Sequence, residues 1–250
     1  MLGKNTLKFI KSLQQKKFRK QENAFFVEGA KNVTELLQSD FECIYLLYTP
    51  RFKSEYPDLV RSCGGQKYET TEAVLVATGS FSSNDYALAV ARIKPDAPLQ
   101  VEKGELALAL DEVRDPGNLG TIIRIADWYG IRKLYLSQQC ADFYNPKVLN
   151  ASMGSFSRVS FQYVSLEPVL SAIELPVYGA FLEGKSIHSL DIEPEGIILV
   201  GNESKGISPG LEPFVSQKVT IPSFGRAESL NVAIATAVLC DNFRRMGGLS

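Results

Sequence analysis

The stretch Gly196-Ile197-Ile198-Leu199-Val200-Gly201-Asn202-Glu203-Ser204-Lys205-Gly206 sets an unbroken apolar run against a polar turn held between two glycines. A short run without polar alternation fits a strand covered on both faces, the usual condition of a parallel sheet. Similar runs lie around it: Glu105 to Leu110, Lys133 to Leu136, Val177 to Phe181 and Lys218 to Ile221. Helical patterns separate them, among them Ile122, Ile125, Ala126 and Tyr129, and further on Leu230, Ala233, Ile234, Ala237 and Val238. Strands alternating with helices predict an α/β domain with a mostly parallel sheet over residues 105–250.

Upstream, Phe25-Phe26-Val27-Glu28-Gly29 reads as a strand ending in glycine, followed by a helix carrying Val33, Leu36 and Leu37. Cys43 to Tyr48 and Tyr86 to Ile93 are further β-type runs, while residues 51–67 are polar and helix-compatible, with Pro57 near a start. Before them, Leu7, Phe9, Ile10 and Leu13 suggest a short helix after Asn5 as its cap. Residues 1–93 thus form a small α/β domain of their own. Residues 94–104, with Pro95, Pro98 and mixed charges, have the composition of a linker.

With 250 residues, 45% apolar and 22% charged, the chain is long enough for a sizeable core and too apolar for disorder. No apolar run approaches the ~20 residues of a membrane-spanning helix, and the basic N-terminus lacks a signal peptide's apolar stretch, so a cytoplasmic location is expected. His188 is the one histidine, which excludes sites needing several imidazoles from one chain. Cys43, Cys63, Cys140 and Cys240 form no Cys-x-x-Cys pair and read as reduced structural thiols, so no metal site is expected.

The formal net charge of -1 conceals an asymmetry. Residues 1–21 carry Lys4, Lys8, Lys11, Lys16, Lys17, Arg19 and Lys20 and no acid, while the rest holds 20 basic and 28 acidic residues. Such an arm suits either a solvated helix face or a phosphate-binding surface.

Three loops follow strands of the second domain, where open α/β sheets bind ligands. The first, Asp111-Glu112-Val113-Arg114-Asp115-Pro116-Gly117-Asn118-Leu119-Gly120, leads into the helix with Ile122; Arg124 lies about 200° around the wheel from Ile122 and faces away from its stripe. The second is the Gly201 to Gly206 turn, which allows close backbone approach to a ligand and also suits any tight turn. It is not a dinucleotide fingerprint. The third, Ile221-Pro222-Ser223-Phe224-Gly225-Arg226-Ala227-Glu228-Ser229-Leu230-Asn231, is rich in glycine, arginine and acid beyond what capping the next helix requires.

Together the loops resemble the three motifs of the SpoU (TrmH-like) branch of the SPOUT RNA methyltransferases. Asn118 and Arg124 match the first motif; Gly201, Glu203 and Gly206 the second; Ile221, Pro222, Gly225, Ser229, Leu230 and Asn231 the third. Ser223 stands where methionine is usual and Ala233 where serine is frequent. Phe26-Val27-Glu28-Gly29, with Arg19 and Lys20 just before it, resembles the RNA-binding domain that precedes the catalytic domain in many members.

The resemblance implies a small N-terminal α/β RNA-binding domain and a C-terminal α/β-knot domain with a deep trefoil knot, a rare exception to unknotted topology. It implies S-adenosyl-L-methionine held around Leu199, Gly201, Ile221 and Leu230, and a homodimer formed through the knotted region. The implied reaction methylates a ribose 2'-hydroxyl of RNA, with Arg124, Asn118, Glu203, Ser229 and Asn231 as catalytic residues and Lys16, Lys17, Arg19 and Lys20 docking the RNA. The extra domain favours ribosomal over transfer RNA. A transfer RNA methyltransferase and a non-catalytic RNA-binding protein of the same fold are the alternatives.

Overall fold

The computed structural model describes residues 2–95, 97–190 and 195–246. Asp96 in the expected linker, and residues 191–194 and 247–250 of the expected second domain, lie outside the described residues. The chain divides into two compact units, one of Met1–Pro95 with Asp142–Ser157, the other of Asp96–Ala141 with Arg158–Ser250.

In the first unit, strands β1 (Ala24–Glu28), β2 (Cys43–Tyr48), β3 (Gln66–Glu69) and β4 (Ala87–Arg92) form a sheet in the order β1-β4-β2-β3. β4 is antiparallel to β1 and β2, and β3 is parallel to β2. Every residue of β1 is buried, and the strand's alternation sends Phe25 and Phe26 to opposite faces. Phe26 joins Ile10, Leu13, Leu47, Leu75, Leu88 and Val90 in one core. Phe25 packs on the rings of Phe41, Tyr144 and Phe156, the last two from the inserted segment, at centroid distances of 5.3, 4.6 and 6.2 Å. Both phenylalanines are therefore core residues.

Two local expectations change. β3 is not among the expected strands and overlaps the last two residues of the span 51–67 read as helix-compatible, because an exposed, polar edge strand carries no apolar alternation. The first helix, Lys4–Ser12, takes Gly3 rather than Asn5 as its cap.

The Lys16–Glu22 helix corrects one expectation about RNA docking. Lys16, Lys17 and Lys20 are exposed, as required of a phosphate-binding row. Arg19 is only 2% exposed; its guanidinium pairs with Asp142 and donates to the carbonyls of Leu13 and Gln14 at 2.8 and 2.9 Å. A guanidinium committed to those acceptors is an internal tie within the unit, unavailable to RNA.

The second unit holds β5 (Leu106–Leu110), β6 (Lys133–Ser137), β7 (Ser160–Val164), β8 (Val177–Ser186), β9 (Gly196–Val200) and β10 (Gln217–Thr220). Their order is β10-β8-β9-β5-β6-β7 and every pairing is parallel. The central β5 and β9 are buried at every position, as their continuous apolar runs require. β7 is an addition to the expected strands: it is a half-exposed edge strand with a mixed sequence. Leu99 and Val101, from the proline-bearing stretch, pack against this unit's core, and Tyr135 donates to the Leu99 carbonyl at 2.8 Å.

The Pro116–Trp128 and Val232–Met246 helices pack together, each rotated from its expected face. The first buries Leu119, Ile122, Ile123 and Ala126, leaving Ile125 and Tyr129 only half-buried. The second buries Val232, Ala233, Thr236, Leu239, Cys240 and Phe243. The expected stripe through Leu230 and Ile234 instead points outward, at 49% and 52% exposure, and Trp128 is 83% exposed.

Candidate active site

The loops after β5, β9 and β10 hold the site, and backbone chemistry builds each. β5 runs into Asp111, which is buried and whose carboxylate accepts from the Ser208 N–H at 2.7 Å. Glu112 next adopts φ +55°, a left-handed conformation uncommon outside glycine. Its N–H donates to Ser137 Oγ at 2.9 Å, and its carbonyl accepts from Asn202 Nδ2 at 2.9 Å. These bonds lock the first loop to the second. Asp115 then caps the helix, accepting from the Asn118 N–H at 2.9 Å, with Pro116 at the first helical position where no N–H is needed.

The second loop is a closed turn. Asn202 and Gly206 exchange backbone hydrogen bonds at 3.0 and 2.9 Å, and Asn202 Oδ1 accepts from Ser204 N and Lys205 N at 2.9 and 3.2 Å. A Cβ on Gly201 would stand 2.2 Å from the Gly206 carbonyl carbon, so glycine is a steric requirement there. Gly206, at φ +69°, supplies the left-handed step that returns the chain.

A chain of side-chain hydrogen bonds joins the three loops. Asn118 Nδ2 donates to Glu203 Oε1 at 2.8 Å, and Asn118 Oδ1 accepts from Asn231 Nδ2 at 2.9 Å. Asn231 Oδ1 accepts from Ala233 N and Ile234 N at 2.9 and 3.3 Å, capping the last helix. Glu203, acceptor-only when ionised, fixes the orientation of the Asn118 amide, and the helix N-terminus fixes that of Asn231. Three of the five residues expected to be catalytic therefore form one network.

Arg124 and Ser229 stand apart from that network. Arg124 is exposed on the Pro116–Trp128 helix and, among the described residues, makes no hydrogen bond or ion pair. At 1.5 Å rise per residue its Cα lies ~9 Å along the axis from Asn118. Ser229 is exposed in the third loop, likewise without a side-chain partner among the described residues. Sequence reading missed Asp111 and Asn202, the two side chains that fasten the loops. A polar residue at the buried end of β5 and an asparagine between glycine and a turn were the available signals.

Of the four expected cofactor positions, Leu199 is fully buried in the core beside Ala107, Ala109 and Ile197, so it can offer a ligand only its backbone. Ile221 is half-buried and Leu230 half-exposed, leaving apolar side chains on the third loop. Among the described residues, no backbone N–H or C=O of 223–230 is hydrogen-bonded. Free peptide groups, apolar side chains and a glycine turn at the end of a parallel sheet fit a nucleoside-bearing cofactor. Among the described residues, no cluster of three or more His, Cys, Asp or Glu is arranged to hold a metal.

Comparison with known proteins bears on this arrangement. Residues 105–241 match the SpoU rRNA Methylase family, and residues 4–83 match the MRM3-like substrate binding domain. A 23S rRNA (guanosine(2553)-2'-O)-methyltransferase of Bacillus subtilis is 30% identical over 238 residues, 94% of each chain. The solved structure of a TrmH-family protein from Porphyromonas gingivalis aligns with a TM-score of 0.87 at 36% identity, covering 98% of this chain and 99% of that one. An rRNA methyltransferase from Sinorhizobium meliloti, solved with AdoMet bound, aligns at 0.86 and 29% identity, covering 98% and 96%.

Proposed function

Because this chain belongs to the SpoU rRNA Methylase family, we propose that it methylates a ribose 2'-hydroxyl of RNA with S-adenosyl-L-methionine as donor. The observation that carries the reading is the Glu203–Asn118–Asn231 chain, which ties the three motif loops into one rigid rim at the carboxyl ends of parallel strands. When bound, the cofactor supplies an electrophilic methyl group on a sulfonium. What the protein adds is alignment and charge.

Gly201, Ile221 and Leu230, with the Leu199 backbone, hold the cofactor. Asn118 and Asn231 keep the loops in register, and Glu203 organises them rather than taking a proton. The ribose hydroxyl is a weak acid, and a guanidinium at neutral pH has no free lone pair to take its proton. Arg124 therefore acts by charge: it binds the phosphate beside the target ribose and stabilises the oxygen as negative charge develops. Ser229 positions the ribose from the third loop. Residues 1–93, completed by 142–157, dock RNA through Lys16, Lys17 and Lys20, and residues 105–141 and 158–250 carry the catalytic domain with the deep knot of the SPOUT fold.

The exposed Trp128, Leu230 and Ile234 support homodimerisation through this domain, which brings the free Arg124 to a composite site. Ribosomal RNA is the favoured substrate, supported by the substrate-binding match at residues 4–83 and by the Bacillus relative. Among the described residues no helix is long and apolar enough to cross a membrane, and we place the protein in the cytoplasm.

Labelled cofactor and total RNA test the reaction, and mapping of 2'-O-methyl positions with and without the protein identifies the nucleotide. Arg124→Ala is expected to cut methyl transfer by on the order of 10²-fold with cofactor affinity by calorimetry retained. Near wild-type transfer by that variant would remove Arg124 from catalysis.

A further inference from the structure

A cavity of about 510 Å³ opens within the first unit, away from the motif loops, and its wall carries Gln14, Ser80, Phe81, Asn145, Lys147 and Asn150. Among the described residues no carboxylate lines it. Three of the seven lining residues, Pro146 being the seventh, are carboxamides, and in each case one end of the amide is already engaged. Gln14 Nε2 donates to the Gly79 and Thr78 carbonyls at 2.7 and 3.3 Å. Asn145 Oδ1 accepts from the Lys147 N–H at 2.9 Å. Asn150 Oδ1 accepts from Asn32 Nδ2 at 3.3 Å, and Asn32, buried behind it, is oriented by its own bond to the Glu28 carbonyl at 3.4 Å.

These anchors decide what each amide has left to offer. Gln14 retains its acceptor Oε1, while Asn145 and Asn150 retain their donor Nδ2 groups, none of them bonded among the described residues. Phe81 adds a half-exposed ring, and its position is built in. The buried Glu28 carboxylate accepts from the N–H groups of Ser80 and Phe81 and from the Ser80 hydroxyl. A Cβ on Gly79 would stand 2.2 Å from Glu28 Oε2, so any larger residue there would displace that carboxylate. Lys147 supplies positive charge on the wall, and Lys16 and Lys17 follow Gln14 within three residues.

From this set we infer that the cavity receives one unpaired pyrimidine base of the RNA, a reading that rests on the RNA-directed function above. Two donors and one acceptor complement the Watson–Crick edge of uracil, which presents two acceptors and one donor, and of cytosine, which does the same in another order. Guanine presents one acceptor and two donors, the wrong balance. The Phe81 ring gives the base a stacking face, and the exposed Lys16 and Lys17 meet the flanking phosphates. The pocket thus selects where the RNA docks and is separate from the methylated position.

Fluorescence anisotropy of the full chain with six-nucleotide oligo(U), oligo(C), oligo(A) and an abasic ribose-phosphate oligomer tests this. Oligo(U) and oligo(C) are expected to bind about tenfold tighter than the other two, a difference of the size that base stacking and edge contacts give. Asn150→Asp, which replaces the free donor by an acceptor, should abolish that preference; Phe81→Leu, which removes the π-face and leaves an apolar side chain, should weaken all base-bearing oligomers alike. Circular dichroism checks that each variant is folded, and either folded variant is sufficient. Equal binding of all four oligomers by the wild type, an unchanged preference in folded Asn150→Asp, or unchanged affinity for the base-bearing oligomers in folded Phe81→Leu would overturn the pocket. Methyl transfer to total RNA by the wild type separates the two readings: its presence without a pyrimidine preference rejects only the pocket, and its absence rejects the enzymatic function.

Discussion

Arg19 and its lysine neighbours show how differently adjacent cations can be used. All four stand in one acid-free run, so composition assigns them one role. Helical geometry then turns Lys16, Lys17 and Lys20 outward and Arg19 inward to Asp142. Breaking a buried pair leaves an uncompensated charge, so Arg19→Ala is expected to cost about 3–5 kcal/mol, read as a large fall in Tm. Reversing Lys16, Lys17 and Lys20 to glutamate should leave Tm nearly unchanged and weaken RNA binding. For every phosphate no longer neutralised, the slope of log affinity against log salt should flatten by about 0.7 to 0.9. A salt slope equal to that of the wild type would make the lysines an ordinary solvated face. The catalytic candidates divide in the same way: Asn118, Glu203 and Asn231 are held by one another, whereas Arg124 and Ser229 are free to meet substrate.

Among the elements, the Gly201 to Gly206 turn is the most tightly determined. Its glycines are readable in the sequence, yet only the structure says why the first cannot change: the returning strand of the turn fills the space where a Cβ would be. Gly201→Ala is expected to force the turn open and lower cofactor affinity at least tenfold, about 1.4 kcal/mol, by calorimetry. Tight cofactor binding by that variant would show that the turn does not shape the pocket. Strands were legible where they are buried on both faces, as in β5 and β9. They were not legible at the edges, where β3 and β7 mix polar and apolar residues with no period to detect. The helix faces were misplaced by a fraction of a turn because both helices have more apolar positions than their packing uses.

That excess is the feature with consequences for the whole molecule. Trp128, Leu230 and Ile234 remain exposed after the second unit has packed its own core. Leu230 and Ile234 lie at the Asn231 end of the helix pair and Trp128 at the Tyr129–Arg244 end, and exposed large apolar groups of this kind suit an interaction surface. Sedimentation equilibrium is expected to give twice the chain mass for the wild type and the single-chain mass for Trp128→Glu, with methyl transfer lost alongside. A monomeric wild type that remained fully active would make the surface irrelevant to catalysis. The division into units was only partly visible, since the chain returns at Asp142–Ser157 to complete the first unit's core with Tyr144 and Phe156. No local pattern announces such a return.

By itself the sequence determined the buried parallel strands, the three polar loops after them, and the basic first 21 residues, because burial, turn chemistry and charge leave periodic or compositional marks. It also carried the motif residues that place the chain in its family. The tertiary structure decided which of those residues are free. It buried Arg19, confined Leu199 to the core, joined Asn118 to Glu203 and Asn231, and turned an apolar helix stripe to the outside. Such outcomes depend on which groups meet across long separations in sequence, and pairing over distance has no signature in a residue's immediate neighbours.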